Sequence, residues 1–351
     1  MHHVLIDCER MKQPNTGLYY FCRNLGLALL EQADASTEAL HFYVPRACRG
    51  LFGDQVGYVV QRPRHKFFCF RTGRFNVWHS TYQLTRYKPY NSGTRVVLTI
   101  HDLNFLVERR DRPDKIAKYL ARLQRNIDRA SHVVCISEFT RDQVLEHLDL
   151  RGKPLDVIYN GCNIVEFPGF DAPRYRPQRP FLFTVGYVTR KKNFHVLPAL
   201  LVDSDLELVI GGVVHEPYGR EILDAARRHG VADRVRLIGP ISEQEKYWYF
   251  VNCRAFAFPS VAEGFGLPVV EAMYHGKPVF LSRLTSLPEI GGDEAWYFDD
   301  FEPERMRQVL AAGLAEYDRE QPVERIRARA LRYSWPQAAA AYLRIYRSLR
   351  G

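Results

Sequence analysis

Residues 259–279, PSVAEGFGLPVVEAMYHGKPV, decide the fold of this chain. The apolar run AFAFPS (255–260) predicts a buried strand, and the apolar spacing after it predicts a helix from about residue 264 to 275. The helix leads into a second apolar run, KPVFLS (277–282), and strand–helix–strand is the repeating unit of a parallel sheet. We therefore expect an α/β protein.

Two glutamates and two glycines occupy this strand–helix junction. Glu263 lies in the loop, and Glu271 lies eight residues later, two turns along the helix. Gly264 and Gly266 allow backbone amides to approach a ligand closely, and the positive end of the helix favours a diphosphate there. Glu263 could then reach a group on one side of the phosphates, and Glu271 could accept hydrogen bonds from ribose hydroxyls on the other. The alternative is a capped helix with two exposed carboxylates.

The same alternation of apolar runs and helical stretches extends to both sides of this segment. The predicted strands are 3–6, 95–100, 132–137 and one within 155–161 that is followed by a turn, and then 181–186, 206–212, 235–239, 255–260 and 277–282. The predicted helices are about 17–30, 113–130 and one capped by Ser137, and then 195–202, 219–229, 242–251 and 264–275, with further helices to the end. Between the two blocks, EFPGFDAPRYRPQRP (166–180) has four prolines and no apolar periodicity, which is typical of a linker.

The length of 351 residues also favours two domains. We expect two doubly wound, Rossmann-like domains facing a cleft, with boundaries at 1–168, a linker at 169–180, a second domain at 181–332 and a closing segment at 333–351. Ligands of such sheets bind beyond the carboxyl ends of the strands, so residues that directly follow strands are the first candidates for a site.

Composition excludes several classes of protein. The chain is 46% apolar and 25% charged, which are ordinary globular values. It shows neither a signal peptide nor an apolar run long enough to span a bilayer, so we expect a cytosolic protein. Its seven cysteines are scattered without a C-x-x-C pair, which predicts free thiols and no structural metal.

Positive charge is concentrated in the first half. Residues 1–170 carry 24 Lys and Arg against 17 Asp and Glu, and the segment from Gln55 to His101 holds eight Lys or Arg and no carboxylate. Aromatic residues lie between these charges: Phe67, Phe68, Phe70, Phe75, Trp78, Tyr82, Tyr87 and Tyr90. The segment could meet an anionic membrane, an anionic substrate or a nucleic acid, or it could be a solvated rim around core aromatics.

At this point a resemblance to a known family is plain. EGFGLPVVEAM resembles the E-x7-E signature of the retaining glycosyltransferases of family 4, which have the GT-B fold. The other segments that resemble the family, in the same order, are LTIHDLNFL (98–106), VVCISEFTRDQV (133–144), VIYNG (157–161), FTVGYVTRKKNFHVL (183–197), SLPEIGGDEAWYF (286–298) and YSWPQAAAAYLRIY (333–346). The resemblance implies that the last of these is a helix that crosses back onto the first domain.

The resemblance implies a donor site in the second domain. Lys192 should neutralise the donor diphosphate, with Arg190 and Lys191 as neighbouring candidates and Gly186 at the start of their loop. Many members of the family have Gly-Arg there, whereas Tyr187 follows Gly186 in this chain, and this difference increases the importance of Lys192. The rest of the implied donor site is the junction described above: Gly264, Phe265, Gly266, Leu267 and Glu271, with Glu263 nearer the transferred sugar.

The resemblance places the other reacting groups in the first domain. His101 should lie beside the transferred sugar, and Asp102 could orient it or help to bind the acceptor. The family has a glycine-rich turn before its first helix, and this chain has Asn15-Thr16-Gly17, which could bind the acceptor or phosphate. The alternative is a strand-end His-Asp pair and a helix cap without further function.

Charge at the reacting centre suggests the mechanism. Breaking the anomeric bond leaves negative charge on the nucleotide diphosphate, which Lys192 and helix amides can stabilise without a metal. Asp203-Ser204-Asp205 is the only D-x-D match, and its place between a helix and a strand indicates a solvated turn away from the cleft. No carboxylate nucleophile is evident, so we favour same-face attack with retention and expect neither a metal nor another cofactor.

The expected function is transfer of a hexose such as mannose from a nucleotide-diphosphate sugar. The acceptor is expected to be a saccharide or a lipid-linked saccharide in lipopolysaccharide or exopolysaccharide synthesis, reached by peripheral binding at the inner face of the cytoplasmic membrane. Alternatives are a nucleotide-sugar epimerase or phosphorylase of GT-B architecture, or a non-enzymic nucleic-acid-binding protein. The last leaves the two glutamates and the glycine loop unexplained, so no nucleic-acid partner is expected.

Overall fold

The computed structural model describes residues 1–14, 16–66, 72–89 and 93–350. The chain divides into two compact units. Unit 1 is Met1–Asn163 with the C-terminal segment that begins at Ser334, and unit 2 is Ile164–Tyr333. Among the described helices, none is both long and apolar enough to cross a bilayer.

Unit 1 contains a parallel sheet of seven strands. They are β1 (His2–Asp7), β2 (Glu38–Val44), β3 (Gly57–Val60), β4 (Val77–Ser80), β5 (Arg95–Ile100), β6 (His132–Cys135) and β7 (Leu155–Val157). The order is β3-β2-β1-β4-β5-β6-β7, and each neighbouring pair is parallel. The order reverses between β1 and β4, which makes the sheet doubly wound as predicted.

The helices of unit 1 are α1 (Gly17–Gln32), α2 (Phe105–Glu108), α3 (Pro113–Arg129) and α4 (Glu138–His147). The Ser137 side chain accepts a hydrogen bond from the N–H of Thr140, which confirms the predicted cap of α4. The C-terminal helix, Trp335–Ser348, also belongs to unit 1, as the resemblance implies. Its Tyr342 and Tyr346 are fully buried in the core of this unit.

The basic segment of unit 1 contributes two strands that the sequence did not predict, β3 and β4, and strands β2 and β13 were not predicted either. Trp78 on β4 packs with Phe75 and Tyr87 in a buried cluster. For these three aromatics the structure agrees with the alternative of core residues: they complete the core, while Arg62, Arg64 and Arg74 of the same segment are exposed. Four of the aromatics, Phe67, Phe68, Phe70 and Tyr90, lie outside the described residues.

Unit 2 repeats the architecture with six parallel strands. They are β8 (Phe181–Val185), β9 (Glu207–Gly211), β10 (Val235–Gly239), β11 (Ala255–Phe258), β12 (Val279–Ser282) and β13 (Trp296–Phe298). Their order is β10-β9-β8-β11-β12-β13. The helices are α5 (Glu216–Arg228), α6 (Glu243–Asn252), α7 (Leu267–Tyr274), α8 (Leu287–Gly291), α9 (Pro303–Glu320) and α10 (Val323–Ala330), and the C-terminal helix of unit 1 is α11.

Two local predictions in unit 2 need correction. The helix predicted at 195–202 is a 3-10 helix, Phe194–Leu201, because Pro198 inside it has no N–H to donate to an α-helical bond. The segment predicted as a linker belongs to unit 2, because its polar side chains are anchored there. Arg174 forms an ion pair with Glu245 (2.8 Å), and the indole N–H of Trp248 donates to Asp171 (2.9 Å).

Candidate active site

The strongest contact among the predicted site residues is an ion pair in unit 2. Lys192 follows β8, Glu263 follows β11, and the Lys192 Nζ lies 2.6 Å from Glu263 Oε1. Both side chains are largely enclosed, with 11% and 13% of their surfaces exposed. The ammonium group also lies 4.6 Å from the centre of the Phe258 ring, a favourable position for a cation. The structure thus brings together two residues that the sequence assigned to different parts of the donor.

Ser260 holds this pair in place, and the sequence reasoning missed it. Its hydroxyl lies 2.6 Å from the same Oε1 of Glu263 and 3.0 Å from the carbonyl of Lys191. The N–H of Val261 also donates to that carbonyl (2.8 Å), so the two loops that carry Lys192 and Glu263 are tied together. The sequence feature that could have indicated Ser260 is its position directly after a buried strand.

Gly186 provides the space that the Lys192 side chain occupies. Its φ is +151°, and a Cβ there would lie 3.3 Å from the Cε of Lys192. A second glycine, Gly212, is required next to it, because a Cβ at that position would lie 1.9 Å from the Gly186 carbonyl oxygen. Both glycines follow strands, β8 and β9, at the carboxyl edge of the sheet.

The neighbouring cations of the loop are placed differently from Lys192. Arg190 pairs with Glu221 of α5 (2.9 Å), and 79% of its side chain is exposed. Lys191 is half-buried and contributes its carbonyl to the loop contacts described above. Lys192 is therefore the buried cation among the three, with Arg190 held toward α5.

The start of α7 is built by glycine and proline. Gly266 precedes the helix with φ +109°, and a Cβ there would lie 2.9 Å from Leu287. Because Pro268 has no N–H, the first turn presents the amides of Gly266 and Leu267, which have no acceptor among the described residues. Such exposed amides at a helix start are suited to an anion. The helix begins three residues later than predicted, since Gly266 adopts a left-handed conformation.

Ser286 fixes the loop that leads into α7, and it too was missed from the sequence. Its buried hydroxyl lies 2.9 Å from the carbonyl of Phe265 and 3.3 Å from that of Glu263. The Phe265 ring is buried edge-on against Tyr333, with ring centres 5.4 Å apart. Gly264 lies between these anchored residues, so the whole loop is fixed before a ligand binds.

Glu271, one turn into α7, is also paired with a lysine. Lys246 of α6 lies 2.7 Å from Glu271 and 2.9 Å from Glu243. Burial alone would lower the pKa of Lys246, but the two carboxylates raise it above its ordinary value, so the lysine stays charged. The sequence reasoning missed Lys246 because 25 residues separate it from Glu271.

His101 of unit 1 follows β5 and is buried, with 7% of its surface exposed. Its Nε2 lies 2.8 Å from the carbonyl oxygen of Thr81, so we assign the proton to Nε2 and an acceptor lone pair to Nδ1. Burial is the main cause that lowers the pKa of His101 to about 4; the hydrogen bond to Thr81 opposes this change, and the charge of Arg10 supports it. At neutral pH the ring is therefore an uncharged hydrogen-bond acceptor, packed edge-on against Phe21.

Asp102 and the turn before α1 have local structural contacts. Asp102 accepts a hydrogen bond from the N–H of Asn104 (3.0 Å), while the contact that orients the His101 ring comes from Thr81. Thr16 caps α1 by accepting from the N–H of Tyr19 (3.3 Å), and Gly17 is exposed with open space around it. Asn15, the third predicted acceptor residue, lies outside the described residues.

A buried carboxyl near His101 was not anticipated. Asp7 ends β1 with 2% of its surface exposed, and burial followed by the charge of Glu9 raises its pKa to about 8. The Thr81 hydroxyl donates to the Asp7 carbonyl, and the Thr85 hydroxyl donates to the Asp7 carboxyl group (3.3 Å).

Across the described residues, no group of three or more His, Cys, Asp or Glu is arranged to hold a metal ion.

Two family models account for most of the chain. "Glycosyltransferase Family 4" matches residues 20–166, and "Glycosyl transferases group 1" matches residues 170–328. The chain belongs to glycosyltransferase family 4. The first match lies in unit 1 and the second in unit 2, so each half of this glycosyltransferase carries its own family signature.

The relatives of this glycosyltransferase include bacterial enzymes of cell-surface glycans. It is 23% identical to O-antigen chain mannosyltransferase B of Escherichia coli over 83% of this chain and 79% of that protein. It is 25% identical to O-antigen chain mannosyltransferase RfbU of Salmonella typhimurium over 84% of this chain and 86% of that protein.

Solved structures share the fold of this glycosyltransferase. Sucrose-phosphate synthase from Thermosynechococcus elongatus has a TM-score of 0.77 at 17% identity, with 99% of each chain covered. Anabaena HepE in complex with UDP and glucose has a TM-score of 0.73 at 15% identity, with 99% of this chain and 100% of that chain covered. The fold is GT-B, built from two parallel-sheet, Rossmann-like units, as predicted.

Proposed function

We propose that this glycosyltransferase moves a hexose, mannose in the first instance, from a nucleotide-diphosphate sugar to a saccharide acceptor with retention of configuration. The observation that carries the proposal is the enclosed Lys192–Glu263 pair, in the same unit as the glycine-built start of α7. The O-antigen mannosyltransferases among the relatives support mannose and a cell-surface saccharide, free or lipid-linked. HepE, crystallised with UDP and glucose, supports a nucleotide sugar as the donor class.

The proposed donor site uses the ion pair as a prepared cation. When the diphosphate binds, the ammonium group of Lys192 interacts with the phosphate oxygens as well as with Glu263. The amides of Gly266 and Leu267 donate hydrogen bonds to the same phosphates. Glu263 is then able to accept a hydrogen bond from a hydroxyl of the sugar. Glu271 accepts hydrogen bonds from the ribose, and its ion pair with Lys246 orients that carboxylate.

The proposed chemistry is same-face substitution at the anomeric carbon. The acceptor oxygen forms a bond to that carbon as the bond to the diphosphate breaks, and the acceptor proton passes to a phosphate oxygen of the leaving group. Positive charge on the ring and negative charge on the diphosphate develop together, and Lys192 stabilises the latter without a metal ion. We assign to His101 a hydrogen bond that its neutral Nδ1 accepts from a substrate hydroxyl.

Peripheral binding to an anionic membrane, from the cytoplasmic side, is part of the proposal. Arg62, Arg64 and Arg74 are exposed and line a cavity of about 970 Å³ with Arg49 and the edge strand β3. Each cation near an anionic surface contributes about 1 kcal/mol to binding. We propose that Lys66 and Arg71 of the same basic segment take part as well; Arg71 lies outside the described residues, and the Lys66 side chain is not described.

A screen of donor hydrolysis tests the proposal and its alternatives. We expect one nucleotide sugar among GDP-mannose, other GDP-hexoses and UDP-hexoses to be consumed, with the nucleoside diphosphate released. Release of a nucleoside diphosphate without transfer to an added saccharide, together with a changed sugar configuration, would instead favour an epimerase. A thermal-shift assay in which nucleic acid stabilises the protein and none of the nucleotide sugars does would favour a nucleic-acid-binding protein.

A further inference from the structure

Unit 1 contains a second basic cavity, distinct from the cavity beside β3. It has a volume of about 720 Å³, which is within the range of small-molecule sites. Its charged lining residues are Lys88, Arg95, Arg129 and Lys153, and neither Asp nor Glu is among the described residues that line it. A cavity whose described charged residues are all cations favours an anionic occupant.

Three of these cations, Arg95, Arg129 and Lys153, lie at the opposite end of the strands from His101. Arg95 is the first residue of β5, whereas His101 follows the last residue of that strand. Arg129 ends α3 just before β6, and Lys153 lies just before β7. These three positions are all at the amino ends of parallel strands, so the charged part of the cavity lies away from His101.

Several positive charges of unit 1 act on one another at this cavity. The pKa of Lys88 is lowered first by burial and then by the charges of Arg129 and Arg125. No carboxylate in the described part of the chain forms an ion pair with Arg95 or Arg129. Lys153 donates to a backbone carbonyl, that of Asp128 (3.0 Å).

The carboxylate next to Arg129 in the sequence is already engaged. Asp128 lies 3.0 Å from the guanidinium of Arg151 and accepts a hydrogen bond from Gln124 (2.9 Å). A neutral donor remains within the cavity wall: the Ser131 oxygen accepts from the N–H of Val96 (3.3 Å), which leaves its own hydroxyl proton for a ligand. The wall therefore offers guanidinium groups and a hydroxyl donor.

We propose that this cavity binds a ligand that carries a phosphate or diphosphate group. Two guanidinium groups with planar, paired N–H donors match phosphate oxygens, and the Ser131 hydroxyl adds a further donor. The cavity is large enough for an organic group beyond the phosphate. The same chemistry fits a soluble phosphorylated metabolite and the headgroup of an anionic phospholipid, and the experiment separates these two sources.

The test compares three forms of the full chain: wild type, Arg95→Gln/Arg129→Gln, and the charge-matched control Arg109→Gln/Arg110→Gln, whose changes lie at exposed positions outside the cavity. In each form Lys192→Met is added to weaken the proposed donor site, and inorganic pyrophosphate is then titrated calorimetrically at physiological salt. We expect the cavity variant to bind pyrophosphate at least about tenfold more weakly, and the control to match wild type. Melting temperatures verify that all three forms are folded.

A second arm identifies the source of the phosphate. The same three proteins are sedimented with vesicles of phosphatidylglycerol in phosphatidylcholine and with vesicles of phosphatidylcholine alone. The site binds a lipid headgroup if the cavity variant binds the anionic vesicles more weakly than wild type and if pyrophosphate displaces wild type from them. It binds a soluble ligand if the vesicle affinity is unchanged while the calorimetric affinity for pyrophosphate is lost. Equal pyrophosphate binding by all three proteins, or a loss seen equally in the control, would overturn the proposal. Nucleoside diphosphate binding, measured separately, reports on the proposed function independently of this result.

Discussion

Replacing Lys192 by methionine removes the cation of the buried pair while keeping most of the side-chain volume. Glu263 would then remain 13% exposed with the Ser260 hydroxyl as its remaining close partner. Removing one member of a buried ion pair costs about 3–5 kcal/mol, because the other charge is left without compensation. Since the serine still donates and both side chains keep some contact with solvent, we expect the lower end, about 3 kcal/mol.

The assay is urea unfolding of wild type, Lys192→Met, Glu263→Gln and the double variant. Because the double variant leaves no unpaired charge, we expect it to recover most of the free energy of unfolding lost by Lys192→Met. Arg220→Met, at an exposed position of α5, is the matched control and should change stability by less than about 0.5 kcal/mol. Additive effects of Lys192→Met and Glu263→Gln would refute the reasoning, since they would mean that the two groups do not interact.

The same substitution should also affect the reaction. The loss of a preorganised group that stabilises developing charge raises the barrier by about 2.7–4 kcal/mol, a decrease in kcat of about 10²–10³. The double variant should not recover activity, although it recovers stability. If activity and stability returned together, Lys192 would be a structural residue and the donor diphosphate would be stabilised elsewhere.

Four further predictions concern other parts of the molecule. Tyr346→Phe should destabilise unit 1 by about 1–3 kcal/mol, because the buried His79 Nδ1 loses its partner at 2.7 Å; chemical denaturation measures this, and an unchanged midpoint would contradict it. Burial lowers the pKa of His101 to about 4, so the unfolded chain binds a proton first on acidification; this histidine alone should reduce stability by about 1.4 kcal/mol at pH 5.5, and His101→Gln should remove that part of the pH dependence. Glu271→Ala should weaken nucleoside diphosphate binding by about 1–3 kcal/mol, with a smaller effect on turnover than Glu263→Ala; equal donor affinity in calorimetry would remove Glu271 from the site. Activity should persist in EDTA, and loss that manganese or magnesium restores would disprove a metal-free mechanism.

The sequence predicted the fold through its buried parallel strands, whose continuous apolar runs are hard to mistake. Strand β4 was not predicted because Val77–Ser80 is short and lies within a segment dominated by basic and aromatic residues. The α-helix expected at 195–202 is a 3-10 helix because Pro198 interrupts the α-helical hydrogen bonds. These errors arise where a local pattern has to be weighed against tertiary packing.

The candidate site was predictable residue by residue but not contact by contact. Position after a strand indicated Glu263 and Lys192, yet their separation of 71 positions in the sequence concealed that they form one ion pair. Ser260 and Lys246 were missed for the same reason, since their roles depend on partners distant in sequence. Spacing along a chain reports which side chains reach the edge of a sheet, while pairing at that edge depends on the order of its strands.

The most direct test of the central claim is a transfer reaction with a panel of nucleotide-diphosphate hexoses and a saccharide acceptor, followed by NMR of the product. The account predicts that wild type transfers one hexose, GDP-mannose being the first donor to examine, and that the new glycosidic bond has the anomeric configuration of the donor. It also predicts a loss of about 10²–10³ in rate for Lys192→Met. A product of inverted configuration, or a rate unaffected by that substitution, would contradict the account.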